Sequence, residues 1–305
     1  MVKTIIRKSK EEELKEVAIH QLSEASQDYL REITKPRIRP TSFRLNKGVE
    51  SKNKISPLLL GAIGAQTYFH EDGELASAQA AQKQGIPFIV SSHSAYSIEE
   101  ISDAVPECEL WFQAHIFKDR ALTKNFIQRA ELSGYQAIIL NISDDTIHHH
   151  ADQLNKGIAN FVVDPIFAKK NFNSPLTIKE QITKEYQDRQ ITWEDISYLQ
   201  QFTTLPVYIY GDLTIEDVRS ALQHQVDGLI FTNIPSATTD LLAQVDTIVA
   251  DKLKVVIETE VETKEVVNQY LLHGADAVTI KSHYIYGLVT AGVLGVEDNI
   301  AQLFT

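Results

Sequence analysis

The sequence predicts an α/β fold, a closed (β/α)8 TIM barrel with an N-terminal helical extension. Short β-branched and aromatic runs recur eight times from residue 57 onward, and amphipathic stretches separate them. Small or turn-forming residues mark the return from helix to strand. Eight strands, each followed by a helix, is the arithmetic of a closed parallel barrel. An open doubly wound sheet is the rival, but it does not usually need eight such units.

The strand runs occupy 57–63, 87–91, 110–116, 137–142, 207–210, 228–232, 255–258 and 277–280. Their apolar residues are nearly continuous rather than alternating, as in strands covered on both faces. Helices are expected at 75–84, 98–104, 121–133, 215–223 and 264–273. Ser97-Ile-Glu-Glu and Thr214-Ile-Glu-Asp supply N-cap signals with an acidic third helical residue. Gly85, Gly134 and Gly274 each follow a helix and precede a strand, where glycine fits a left-handed C-cap. The Gln225-Val-Asp-Gly joint stands in the same place.

Residues 1–55 form the lead, with a helix expected over 10–32 followed by the basic segment Lys35-Pro-Arg-Ile-Arg-Pro. Residues 56–305 form the barrel, and the whole reads as one structural domain. Residues 143–190 break the rhythm after the fourth strand. In a barrel such an excursion lies on the ligand-binding face. A solvated lid with no ligand role is the other reading.

Composition narrows the function classes. The formal charge is −12, from 29 Lys+Arg against 41 Asp+Glu. That balance repels phosphate backbones and anionic lipid, so neither nucleic acid nor a membrane is an expected partner. A single cysteine, Cys108, excludes a disulfide framework and a zinc ribbon. The charged N-terminus lacks an apolar h-region, and no long apolar run occurs, so the expected location is cytoplasmic. Walker, Gly-x-Gly-x-x-Gly and Gly-x-Ser-x-Gly patterns are missing.

Two constellations invite chemistry. His148-His149-His150 looks like a metal tract, but three adjacent histidines cannot all face one ion, and a solvated loop is expected. His115, Asn141, Glu258 and Glu260 lie near C-terminal strand ends, where carboxylate and imidazole can hold a divalent ion. No metal is expected all the same. Glu258 and Glu260 share a strand face, so one can raise the pKa of the other for acid–base work. The alternative is that they neutralise Lys281.

Pro57-Leu-Leu-Leu with His70-Glu-Asp-Gly-Glu-Leu-Ala-Ser-Ala, Ser91-Ser92 and Trp111-Phe-Gln-Ala-His form a collinear set in the first half. Ile191-Thr-Trp-Glu-Asp, Leu205-Pro-Val and Tyr286-Gly-Leu-Val-Thr-Ala-Gly continue it in the second. Through these motifs the chain resembles, from about residue 18 to 300, the FMN-dependent α-hydroxy-acid oxidases and dehydrogenases, the group containing glycolate oxidase and lactate oxidase. The resemblance implies the barrel, and it implies flavin contacts at Ser91 and Gln113 and a substrate contact at Tyr29.

Most other positions depart from what the resemblance implies. Tyr210 stands where the family's flavin-facing lysine belongs, and a phenol with pKa near about 10 cannot supply that charge. The catalytic base falls on Ile234, the carboxylate clamp on Ala237, and the aspartate orienting the base on Ser143. The second clamp arginine falls near His149, the flavin-facing threonine on Asn141, and the substrate-site tyrosine on His115. At the phosphate cradle, Asp-Gly-Gly-x-Arg becomes Glu258-Thr-Glu260-Val-Glu262, and Gly-Arg becomes Lys281-Ser282. Family glycines there let backbone N–H groups reach a dianion. Each new carboxylate facing it costs roughly 3–4 kcal/mol at about 5 Å and an effective dielectric near 20. Lys281 is expected to pair with Glu258 or Glu262 and fill the vacated space.

The expectation is a diverged, flavin-free and catalytically inactive homologue, with no cofactor, acting as a binding or assembly protein. Homo-oligomers or co-assembly with a related catalytic protein fit that role. Two alternatives stay open. One is an active FMN enzyme oxidising a 2-hydroxy acid. The other is a barrel repurposed around a candidate pocket of Tyr29, His115, Tyr210, Glu258 and Lys281, with Glu260 beside it.

Overall fold

The computed structural model describes residues 10–34, 57–142, 155–187, 190–232, 239–261 and 263–303. The strands are β1 (Leu58–Leu60), β2 (Phe88–Ser91), β3 (Leu110–His115), β4 (Ala137–Asn141), β5 (Val207–Gly211), β6 (Gly228–Phe231), β7 (Lys254–Thr259) and β8 (Ala277–Ile280). They pair in parallel in chain order, and β8 returns to β1 with Leu59 opposite Thr279. That closure excludes the open sheet.

Strand alternation sorts the apolar runs into two cores. Leu59, Ile89, Trp111, Ile139, Tyr208, Ile230 and Val256 fill the barrel interior. Their neighbours Phe112, Leu140, Ile209, Leu229 and Ile257 face the surrounding helices. Both faces are buried, which is why the sequence shows continuous rather than alternating hydrophobicity.

The lead differs from the single helix expected over 10–32. It is two helices, α1 (Lys10–Gln21) and α2 (Glu24–Ile33). Ser23 makes the break: its hydroxyl accepts from Ser26 N at 3.3 Å and caps α2. Ala18, Tyr29 and Leu30 join the barrel's outer core, so the lead is packed on the barrel.

The helices following β1 to β3 are α3 (Gly73–Gln84), α4 (Ile98–Ala104) and α5 (Arg120–Leu132). The excursion after β4 contributes α6 (Ala159–Val162), α7 (Pro165–Asn171) and α8 (Ile178–Tyr186). Next come α9 (Trp193–Gln200), α10 (Ile215–Gln223), α11 (Thr239–Val249), α12 (Lys264–Leu272) and α13 (Ser282–Gln302). Ser97 and Thr214 form reciprocal capping boxes with Glu100 and Asp217. Gly85, Gly134 and Gly274 take φ values of +64°, +84° and +101°, and Gln225 takes +53°. These left-handed turns return the chain to the sheet.

The described part of the excursion is packed rather than a solvated lid. Phe161 and Ile182 are fully buried, and Phe161 packs edge-on against Phe117 and Phe126. The buried Asn160 amide accepts from Ile98 N at 2.8 Å and donates to Ser92 O at 3.2 Å. A polar side chain thereby ties α6 to the β2 loop and satisfies backbone groups there. Among the described residues no helix is long and apolar enough to cross a membrane.

Candidate functional site at the barrel mouth

A strand residue two places beyond an interior one points to the same axis, one step nearer the C-terminal mouth. Ser91 follows Ile89, Gln113 follows Trp111, Asn141 follows Ile139, and Glu258 follows Val256. Tyr210 follows Tyr208 and itself packs in the interior cluster. Register aligns His115 with Asn141 and Asn141 with Tyr210 on adjacent strands. Of the candidate pocket, the fold thus brings His115, Tyr210, Glu258 and Lys281 to one rim.

Glu258 is the node of that rim. Its Oε1 accepts from the Tyr210 hydroxyl at 2.6 Å and from Lys281 Nζ at 3.2 Å. The side chains of Glu258 and Lys281 are only 11% and 21% exposed. A carboxylate so placed needs a cation and a donor to offset its lost hydration. Lys281 supplies the first and Tyr210 the second. The three side chains tie β5, β7 and the end of β8 together, and Ser282, buried, opens α13.

This arrangement tests the phosphate site that the resemblance implies. A dianion there needs backbone N–H groups clear of Cβ atoms, and net positive charge. Thr259 and Glu260, both half-buried, carry side chains where glycines would stand. Lys281 is engaged by Glu258. Among the described residues, side chains rather than glycines therefore line this part of the rim.

A second cluster forms over β2, β3 and the excursion. His115 Nδ1 lies 2.7 Å from Ser92 Oγ, and its Nε2 lies 3.2 Å from the Asn141 amide nitrogen. An amide donor at Nε2 leaves the proton on Nδ1, which then donates to Ser92. His93 stacks 5.2 Å from Phe161 and sits edge-on to His115 at 5.2 Å. Its Nε2 contacts the Tyr186 hydroxyl of α8 in a short hydrogen bond, and its Nδ1 faces Gly157 O at 3.3 Å. A Cβ on Gly157 would come 2.3 Å from His93 O, so only glycine permits this approach. His93 and Tyr186 therefore clasp the excursion to the mouth.

Behind β1 lies a third, fully buried polar layer. Glu74 Oε1 accepts from Gln66 N and Ala95 N, both at 3.0 Å, while its Oε2 has no hydrogen-bond partner among the described residues. Burial pushes this carboxyl up to about 7 from an ordinary 4.5. The Tyr284 hydroxyl donates to Gly61 O at 2.8 Å, and Ser77 Oγ donates to Gln66 Oε1 at 2.6 Å. Tyr29, the expected substrate contact, donates its hydroxyl to Gly64 O at 2.7 Å and stacks on Phe69. Burial drives its phenol well above the usual tyrosine range. That geometry makes Tyr29 a brace between α2 and the β1 loop.

Several expected positions lie outside the described residues: Ser143, the 148–150 histidine run, Ile234, Ala237 and Glu262. Among the described residues no three His, Cys, Asp or Glu side chains converge as a metal site. Sequence reasoning missed His93, Tyr186 and Glu74. Only the polar run Ser91-Ser92-His93-Ser94 after an apolar strand pointed toward the first. Cys108 is buried, and burial pushes its thiol up to about 12, so it is an inert packed group.

Comparison with known proteins agrees with this architecture. A crystal structure of mandelate oxidase with (S)-4-hydroxymandelic acid superimposes with a TM-score of 0.74 at 21% identity, covering 96% of this chain and 91% of that one. That likeness concerns the fold. In sequence, mouse 2-hydroxyacid oxidase 1 is 31% identical over 83% of this chain and 73% of its own length. Rice glycolate oxidase 3 is 30% identical over 92% of this chain and 81% of its own. The L-lactate oxidase of Lysinibacillus sphaericus is 28% identical over 82% of this chain and 69% of its own. The profile of the FMN-dependent dehydrogenases matches residues 27–305, and the chain belongs to that family.

Proposed function

We propose that this chain is a flavin-free, non-catalytic member of the FMN-dependent dehydrogenase family that acts as a binding or assembly protein. One observation carries the reading. The Glu258 carboxylate, held by Tyr210 and Lys281, stands at the rim that would receive the flavin phosphate. A dianion brought there meets carboxylates rather than free N–H groups, at roughly 3 kcal/mol per unit charge pair at about 5 Å and an effective dielectric near 20. The sequence adds Ile234 and Ala237 where the resemblance puts base and clamp, and neither side chain titrates. Self-association, or co-assembly with a catalytic relative, is the role this reading assigns.

A second reading, an active FMN-dependent 2-hydroxy-acid oxidase, is favoured by the family match and by Ser91 and Gln113 at the mouth. An absorbance spectrum separates the two. The purified protein should be colourless near about 450 nm and stay so after incubation with excess FMN and desalting. A retained stoichiometric flavin band would overturn the proposal and favour the second reading.

A further inference from the structure

Away from the barrel mouth, the excursion forms an open cleft of about 790 Å³. It is lined by Lys118 from the loop after β3, Lys169 and Lys170 of α7, and Lys184 and Glu185 of α8, with Phe172 beside them. A wall of four lysines runs against the composition of a chain whose net charge is −12. Its volume lies within the range of small-molecule sites.

The framework around the cleft is fixed by its own ion pairs. Lys170 bridges Asp119 at 3.2 Å and Glu185, with which it makes a short contact. Glu185 also accepts from Asp119 N at 3.1 Å, and its backbone carbonyl accepts from Lys118 N at 2.7 Å. The carboxylate in the wall is therefore already engaged. Lys118, Lys169 and Lys184 form no salt bridge among the described residues, and all three are exposed. Separate ammonium groups held around one space raise the local potential and favour an anion of several charges.

The geometry points to a binding site for a small molecule bearing a chain of phosphate groups. None of the described lining residues is an arginine. The planar fork that suits a lone carboxylate is thus missing, whereas lysines serve phosphate oxygens as point charges. Phe172, 86% exposed, offers a flat apolar face to a ring carried by such a ligand. This site does not depend on whether the barrel mouth accepts flavin.

Calorimetric titration of the full chain with ATP and with tripolyphosphate tests it. Both should bind saturably at one site, more weakly as salt rises toward about 0.5 M. The variant Lys118→Ala/Lys169→Ala/Lys184→Ala should bind both roughly tenfold more weakly, with an unchanged melting curve. Phe172→Ala distinguishes the sources. Weaker ATP binding with unchanged tripolyphosphate binding assigns a nucleotide-like ligand, and no change in either assigns the phosphate chain alone. No saturable binding of either probe, or equal affinity in the triple variant, overturns the inference.

Discussion

Replacing Glu74 with glutamine should change how stability depends on pH, and the structure sets the size of the effect. Glu74 is fully buried, accepts two backbone N–H groups on one oxygen, and leaves the other without a partner among the described residues. Burial raises its folded-state pKa to about 7 from 4.5. A carboxyl raised on folding favours the folded state while protonated. Its stabilisation is complete below the unfolded value and is lost as pH rises through the folded one. Between about pH 5 and pH 8 the loss comes to roughly 2.5 kcal/mol. Glutamine keeps an acceptor for Gln66 N and Ala95 N but does not titrate. Urea unfolding of both proteins across this range should show Glu74→Gln gaining on the parent by about that amount as pH rises. Other titrating groups cancel in the difference. A difference that stays flat from acid to alkaline pH would refute the reasoning.

Tyr210→Phe removes a donor to a mostly buried carboxylate that, among the described residues, keeps Lys281. It should cost about 1.5 kcal/mol, read as a lower urea midpoint. Two glycines should respond to alanine with losses of different size in thermal melts. A Cβ on Gly287 would lie 2.2 Å from Gly295 O across the kink in α13, so Gly287→Ala should destabilise by roughly 3 kcal/mol. At Gly134, φ is +84° but nothing lies within 4 Å, so Gly134→Ala should cost only about 1 kcal/mol of backbone strain.

The barrel was legible because its strands are buried on both faces, leaving continuous apolar runs at 110–116 and 137–142. The capping boxes at Ser97 and Thr214 were equally plain, since they depend on residues three apart. The break at Ser23 was obscured because helical composition continues on both sides of it. In the excursion, Asp164-Pro165 and Thr177 with Glu180 signal helix starts. The helices they open follow no strand of their own, so the strand–helix alternation that marked 98–104 and 215–223 does not point to them. The rim was legible only as a set of strand ends. That Tyr210 turns its hydroxyl to Glu258 depends on two strands separated by β6. The His93–Tyr186 clasp joins residues 93 apart and has no local signature.

Tyr210, Glu258 and Lys281 make sense only as a set. Glu258 alone would be a largely desolvated anion beside a neutral phenol. That state costs several kcal/mol by the general cost of breaking a buried pair, lessened here by residual exposure. Together the three groups satisfy one another across β5, β7 and β8. Tyr210 also belongs to the barrel's interior cluster, whereas Glu258 and Lys281 stand outside it, above Trp111, Ile139, Ile230 and Val256. Rim positions outside the core, such as those two, can change their chemistry without loss of fold. Membership of a flavin-dependent family therefore goes with the architecture of this chain, while function rests on the side chains of the site rather than on the fold.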